Sequence, residues 1–472
     1  MNKPFIHCFE TPKAKYFYDV NTNAIVRVSS DLYDYLSEGK KKHCNNGNIR
    51  RELETLEMAG MLSSEKWKGI EHPASQMLLE NLNGSIEMLT LQITQQCNLR
   101  CNYCPYSGSY YNRIHSNKNM TIEVAKKAID FYIKHSFDKR EINIGFYGGE
   151  PIIQYDLIKK IVEYTEVKGE GKKVNYHITT NATLLDQEKI SFLASHHFKM
   201  TISLDGPREL HDKNRKLMSG KGSFDKVMKN IQLIQKHYPD YMKEIMFNCV
   251  VDGQGDYGCL NEFFTNYDSV KESNTFFSDI AAEGIKDDDM LGYNEEYDKA
   301  YQYEVFKLLL SKCGFISEKE ISPIVKSYYD VIKMRLKGRS EGYNYEDSGH
   351  PGGPCIPGIH KLFVNVNGDF YPCEKLNENI PEIVIGNIEN GFDYQKIYNI
   401  LNIGKTTQNE CKNCWCSRFC YQCVLFSECG DRLSEKARLS HCEAVKSATE
   451  NLFLDYCLIK EVEAEDNNIY FL

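Results

Sequence analysis

The sequence predicts an α/β protein: an open, partial (β/α)6 barrel with a small unit ahead of it and a cysteine-rich unit behind. Three observations carry that prediction. Between residues 86 and 279, six strand-like runs alternate with helix-like runs, the pattern of parallel β/α units. Ahead of them lies a hairpin pattern followed by amphipathic segments. Behind them, nine of the 18 cysteines crowd between Cys355 and Cys442. At 472 residues there is room for about three domains of ~150 residues, each able to bury a core without staples.

Residues 1–80 read as one small unit. KYFYDV and AIVRVS flank Asn21-Thr22-Asn23, which predicts two short strands joined by a turn. SSDLYDYLSEG and NIRRELETLEMAGML then show helical spacing, with Ser29 or Ser30 as the N-cap. Such a unit suits recognition; the plainer alternative is a structural cap on the barrel. Its core is expected to be separate from those of the barrel and the cysteine-rich unit. The barrel, 86–290, is read with strands near 86–94, 142–147, 174–180, 199–204, 244–250 and 274–279. Helices are expected near 122–135, 156–167, 186–196, 223–236 and 260–267. Six units suit a partial barrel better than a closed eight-stranded one, and chemistry gathers at the C-terminal strand ends. A tyrosine-rich helical bridge covers 291–348, and GYNYEDSGHPGGPC marks a loop. The last unit, 349–472, closes with a helix near 434–458.

The formal net charge of −9 argues against a general binder of nucleic acid or anionic membrane. No run of 18 apolar residues is present, and the N-terminal stretch lacks a signal-peptide core. A cytoplasmic location is expected. There, 18 cysteines point to metal binding rather than disulfides. The scattered ones, Cys8, Cys44, Cys249, Cys259, Cys313 and Cys457, read as buried small hydrophobes.

Cys97, Cys101 and Cys104 fall in ITQQCNLRCNYCPY, directly after the first barrel strand. A cubane [4Fe–4S] cluster normally takes four thiolates. Three in a CxxxCxxC spacing leave one iron open, and an open iron can be chelated by the amine and carboxylate of S-adenosylmethionine (SAM). Zinc is the alternative, but its second ligand pair is missing from the next hundred residues. The second strand ends in FYGGEP. Gly148 and Gly149 permit close backbone approach to a ligand, Glu150 can accept from an amine, and Pro151 starts the next helix. Thr180 and Asn181 end the third strand; Ser203 and Asp205 end the fourth. HDKNR supplies Arg215, a fixed cation for a carboxylate. Each has an ordinary capping or turn reading, Asp205-Gly206-Pro207 most of all.

Taken together, CNLRCNYC, YGGEP, TTNATLL and SLDGP–HDKNR resemble the radical SAM superfamily, with Tyr103 as the usual aromatic before the third cysteine. The resemblance implies a [4Fe–4S] cluster on Cys97, Cys101 and Cys104, and reductive cleavage of SAM to a 5′-deoxyadenosyl radical. It implies an external flavodoxin- or ferredoxin-type electron donor as well. The C-terminal cysteines resemble a SPASM domain: Cys355, Gly368 after twelve residues, Cys373 five further on, then Cys411, Cys414, Cys416, Cys420, Cys423, Cys429 and Cys442. Zinc ribbons are the alternative. The family order implies two auxiliary [4Fe–4S] clusters, one on Cys355, Cys373 and Cys423, the other on Cys411, Cys414, Cys420 and Cys442. The Cys420–Cys423 gap is one residue short, and Cys416 and Cys429 are extra. No cysteine lies just before Cys355, which leaves the first auxiliary cluster room for an open iron; His350, Cys313, Cys416 or Cys429 are the other candidates for it.

Residues 1–80 resemble the winged-helix-like elements that dock a leader peptide along an exposed hairpin edge. The expectation is therefore a radical SAM/SPASM peptide maturase, similar to those of cysteine-rich ribosomal peptides. It carries three [4Fe–4S] clusters and SAM, and installs thioether cross-links in a leader-bearing precursor. Carbon–carbon cross-linking and formylglycine formation stay open, as does a non-catalytic iron–sulfur electron carrier or peptide-binding scaffold.

Overall fold

The computed structural model describes residues 3–38, 47–271, 273–289, 291–336, 347–352, 355–463 and 470–471. It opens with an antiparallel meander of β1 (Ile6–Glu10), β2 (Lys15–Asp19) and β3 (Ala24–Val28), one strand more than the sequence predicts. The turn works because Asn23 accepts the left-handed conformation (φ 60°). Ser29 caps α1 (Ser30–Glu38), its hydroxyl accepting from Leu32 N–H at 3.2 Å. α1 and α2 (Gly47–Met58) cover one face of the sheet through Phe17, Val26, Leu32 and Leu56.

The other face does not meet the barrel. Phe9, Tyr16 and Tyr18 pack against Phe419, Phe453 and Cys457 of the C-terminal unit, with Tyr18 and Phe453 ring centroids 5.1 Å apart. This corrects the expectation of separate cores. KYFYD is apolar on both faces, so the sheet needs two covers, and α1 with α2 supplies only one.

The barrel strands are β4 (Leu89–Thr94), β5 (Glu141–Gly148), β6 (Lys173–Thr180), β7 (Lys199–Ser203), β8 (Met246–Val251) and β9 (Asn274–Asp279). They pair in parallel in that order. Between them run α3 (Ile122–Lys134), α4 (Tyr155–Lys168), α5 (Gln187–Ser195), α6 (Phe224–His237) and α7 (Tyr257–Asn266). Thr121, Asp186 and Asp256 cap α3, α5 and α7 through side-chain oxygens. Parallel register sets all six C-terminal strand ends on one rim.

Beyond α8 (Glu295–Lys312) and α9 (Lys326–Leu336), which fill the expected bridge, the chain returns to the sheet. β10 (Leu362–Val364) pairs in parallel with β4, and β11 (Asp369–Tyr371) pairs antiparallel with β10. With two further short strands, Gly386–Asn387 and Gly391–Phe392, the sheet runs to ten strands among the described residues, and one apolar core joins Leu89 and Ile144 to Phe363 and Phe370. The cysteine-rich unit is built onto the barrel. It ends in the short helix Glu435–Ser440 and α10 (Cys442–Glu463). Main-chain pairing sets Tyr470–Phe471 along β3, so the edge expected to be exposed already carries a short strand.

Among the described residues, no helix is long and apolar enough to cross a membrane. Cys249 and Cys457 are buried, and Cys8 and Cys313 half-buried. Cys259 is exposed instead, because it lies in the first turn of α7, where its N–H serves the Asp256 cap at 2.9 Å. Cys44 and half of the loop over 342–355 lie outside the described residues.

Candidate functional site

A cavity of about 380 Å³ opens on the barrel rim, with Cys97, Cys101 and Cys104 in its wall. The loop that carries them leaves β4, and Leu99–Cys101 then forms a short antiparallel ladder with Arg215–Leu217. That ladder sets Cys101 opposite Arg215. The tip of β5 crosses directly beneath the loop. A Cβ on Gly149 would stand 1.9 Å from the Gln96 carbonyl oxygen, and one on Gly148 (φ +139°) 2.1 Å from that of Thr94. The close approach that requires glycine here is therefore to the cysteine loop itself, beyond any approach to a ligand.

Glu150 is buried and accepts from Thr180 Oγ1 at 2.7 Å, Asn181 N–H at 2.7 Å and Ile152 N–H at 3.0 Å. A carboxylate offers about four acceptor positions, so roughly one remains for a ligand amine. Burial pushes the Glu150 carboxyl above its ordinary value. Asn181 reaches Asn98 Oδ1 at 3.0 Å and so ties the third strand to the cysteine loop. Arg215, also buried, donates from Nε to Asp205 Oδ2 at 2.9 Å and lines the cavity. The Tyr103 hydroxyl donates to the same oxygen, and Val250 N–H to Oδ1 at 3.1 Å. Asp205 thus stands behind the wall as a brace, while Tyr103, Ser203 and Arg215 face the cavity.

Burial pushes the Cys97 thiol up to about 12 and the Cys101 thiol to about 11. A metal reverses that preference by replacing the proton. The thiols are spread more widely than one ion needs. Among the described residues, the only three ligand atoms within 4.8 Å of one another belong to exposed Asp287, Asp288 and Asp289. Zn–S bonds of about 2.3 Å hold sulfurs within about 4.6 Å. Soft donors at wider spacing fit a multi-iron group.

The C-terminal cysteines form two sets. Cys411, Cys414, Cys416, Cys420 and Cys442 line a second cavity of about 320 Å³. Within it Cys416 is committed elsewhere, its Sγ 3.2 Å from Thr449 Oγ1. Cys355, Cys373 and Cys423 form the other set. Burial first, then Glu374 and Cys423, pushes the Cys373 thiol to about 12. Cys423 is raised by burial first and by neighbouring Cys355. Both ring nitrogens of His350 are engaged, Nε2 accepting from Gly404 N–H at 2.9 Å and Nδ1 facing Gly352 O at 3.3 Å. Cys313 sits at the C-terminus of α8, and Cys429 is exposed on a hairpin.

The far wall of the rim cavity belongs to the cysteine-rich unit, through Glu374, Lys375, Asn377, Leu425 and Glu428. Burial raises the Glu428 carboxyl to about 7, with the charge of Glu283 adding to it. Glu283 and Asp279 line the same cavity. None of these residues stands in a motif; only the register of β9 with its neighbours, which puts Asp279 at a strand end, offered a signal in the sequence.

Residues 91–254 match the sequence profile of the Radical SAM superfamily. This segment is similar to radical SAM domains. Over 163 residues the chain is 33% identical to a cysteine-type anaerobic sulfatase-maturating enzyme of Clostridium novyi, covering 33% of this chain and 42% of that one. A serine-type anaerobic sulfatase-maturating enzyme of Bacteroides thetaiotaomicron is 35% identical over 144 residues, covering 30% and 34%. The matched segments thus span less than half of these curated relatives. The solved structure of native anSMEcpe with bound AdoMet shares the fold, with TM-score 0.58 and 22% identity over 79% of this chain and 98% of that one.

Proposed function

We propose that the chain is a radical SAM maturase that forms thioether cross-links in a cysteine-rich, ribosomally made precursor peptide. One observation carries the reading: the cavity of Cys97, Cys101 and Cys104 is closed on its far side by residues flanking Cys373 and Cys423. A peptide lying there touches both regions at once, an arrangement an electron carrier does not need. Cys97, Cys101 and Cys104 would hold the cluster that opens SAM, which supplies a 5′-deoxyadenosyl radical able to take hydrogen from a peptide carbon. Glu150 and Arg215 would orient the amino-acid end of SAM, kept in place by Thr180, Asn181 and Asp205. Tyr103 and Ser203 shape the wall between them.

A thioether product is favoured by the set of three at Cys355, Cys373 and Cys423. His350, Cys416, Cys313 and Cys429 are engaged or placed elsewhere among the described residues, which leaves room for a substrate thiolate as fourth ligand. Residues 1–80 would receive the leader along the β1 edge of the sheet, which no further strand pairs among the described residues, the β3 edge being taken by Tyr470–Phe471.

The test is anaerobic incubation of the reconstituted protein with SAM, a reductant and a cysteine-rich precursor encoded beside it. Expected is loss of two hydrogens per link together with loss of an alkylatable thiol. Loss of hydrogens with all thiols retained would favour carbon–carbon linkage. An aldehyde trapped by a hydrazide would favour formylglycine formation.

A further inference from the structure

Arg438 is about 2% exposed and, among the described residues, heads the fully buried side chains by size. It sits in the short helix Glu435–Ser440, which Ser434 caps by accepting from Ala437 N–H at 3.2 Å. Its guanidinium donates from Nη1 to the Cys423 carbonyl at 3.2 Å and from Nη2 to the Gln422 carbonyl at 3.3 Å. Both acceptors are neutral. Among the described residues, no carboxylate pairs with it, although chain-wide ion pairs are numerous. An unpaired cation at this depth costs several kcal/mol unless some other negative charge answers it.

Two thiol sets surround this cation. Arg438 lines the cavity of Cys411, Cys414, Cys420 and Cys442, while the carbonyl it grips belongs to Cys423 of the other set. Gln422, next to Cys423, points its Nε2 at Cys442 Sγ from 3.8 Å, so one peptide unit touches both sets. A cubane with thiolate ligands carries net negative charge, and nearby charge is one of the levers on its potential.

We infer that Arg438 is the shared counter-charge of the two auxiliary cluster sites, a positioning residue that raises the reduction potential of both. This rests on reading those thiol sets as cluster sites. A fixed cation favours the more negative, reduced state of each cluster, so its removal makes both harder to reduce. Because one guanidinium serves two sites, the potentials move together.

The test is EPR-monitored redox titration of the anaerobically reconstituted full chain, its R438Q variant and its R438K variant. Expected for R438Q is about a tenfold lower reduced-to-oxidised ratio of both auxiliary clusters at a fixed potential, 59 mV for a one-electron couple. R438K should restore most of it, and the Cys97 cluster should stay unchanged in all three proteins. Unchanged auxiliary potentials in fully loaded R438Q, or a shift in one cluster alone, overturn the inference. If R438Q does not take up iron, R438K decides. Normal loading with near-native potentials supports the charge role; failure to load, or potentials shifted despite the retained charge, refutes it. A wild-type protein that binds only about four irons rather than about twelve refutes instead the reading of the thiol sets as cluster sites.

Discussion

The barrel rim and the cysteine-rich unit both gather thiols around a cavity, yet they are held in different ways. On the rim, buried charge is answered within the protein: Arg215 by Asp205, and Glu150 by three donors. In the cysteine-rich unit, turns such as Ser417–Phe419 and Val424–Ser427 take the place of strands. There Ser417, Gln422 and Ser427 keep buried side-chain oxygens without partners, and Arg438 lacks a carboxylate among the described residues. A parallel sheet satisfies its backbone before any ligand arrives, whereas turns of a few residues cannot hold buried charge alone. The rim answers its buried charge from within; the other region keeps buried polar groups that the described residues leave unanswered.

That contrast breaks first if the rim fails to survive without its own ligands. Changing Cys97, Cys101 and Cys104 together to Ala should abolish all formation of 5′-deoxyadenosine from SAM, read by chromatography, with little change in barrel melting. Retained product would sink the radical SAM assignment of the site.

The cysteine-rich unit should be far more sensitive to lost neighbours. Removing residues 1–64 uncovers Phe419 and Phe453 by taking away Phe9, Tyr16 and Tyr18, at ~1.5–3 kcal/mol for each large side chain. Since Phe419 adjoins Cys420, the truncated protein should lose about four of about twelve irons by metal analysis. Full iron in that protein would show the units to be independent after all.

Within the rim, Arg215→Ala leaves Asp205 buried without its partner and should cost about 3–5 kcal/mol in chemical denaturation. Glu150→Ala should weaken SAM binding about 10- to 150-fold by calorimetry while iron content holds, the equivalent of roughly 1.5–3 kcal/mol. An unchanged dissociation constant would move the cofactor elsewhere in the cavity.

The smallest effect sharpens the boundary between the two regions. Glu428, on the shared wall, has a carboxyl raised to about 7 from 4.5, so the fold prefers it neutral. Its contribution to stability is complete below about pH 4.5 and is lost as pH rises through 7. Glu428→Gln should therefore be more stable than wild type by about 1–3 kcal/mol at pH 8 and equal to it at pH 4.5. Equal melting at both values would mean that Glu428 is solvated.

Much of this was legible before the fold. The six strands and five helices follow from alternation of period two and 3.6, and each lies within a few residues of its expected place. Cys97, Cys101, Cys104, Glu150, Asn181 and Arg215 meet at one cavity, as motif order along β/α units implies. What stayed hidden is what sequence separation conceals. The Leu99–Cys101 and Arg215–Leu217 ladder has three residues a side, too short for a period to show. β10 joins the barrel sheet although its pattern alone marks it only as a short strand. Arg438 and Glu428 look like surface residues on a polar stretch, and only packing buries the first and half-buries the second. The partner of the N-terminal sheet, expected to have a core of its own, stayed hidden because a strand apolar on both faces says that a second cover exists, without saying where it comes from.

The docking of β1 and β2 onto α10 has a consequence for how the chain comes to be folded. His7 meets Glu450 across 443 residues of sequence, so the first strands cannot complete their core until the last helix has been made. Domains usually fold in order as they leave the ribosome, and closing long loops slows what depends on them. Here the barrel and the residues from Cys355 to Cys429 are translated before α10 (Cys442–Glu463). β1 and β2 are translated ahead of the barrel and complete their packing only after α10.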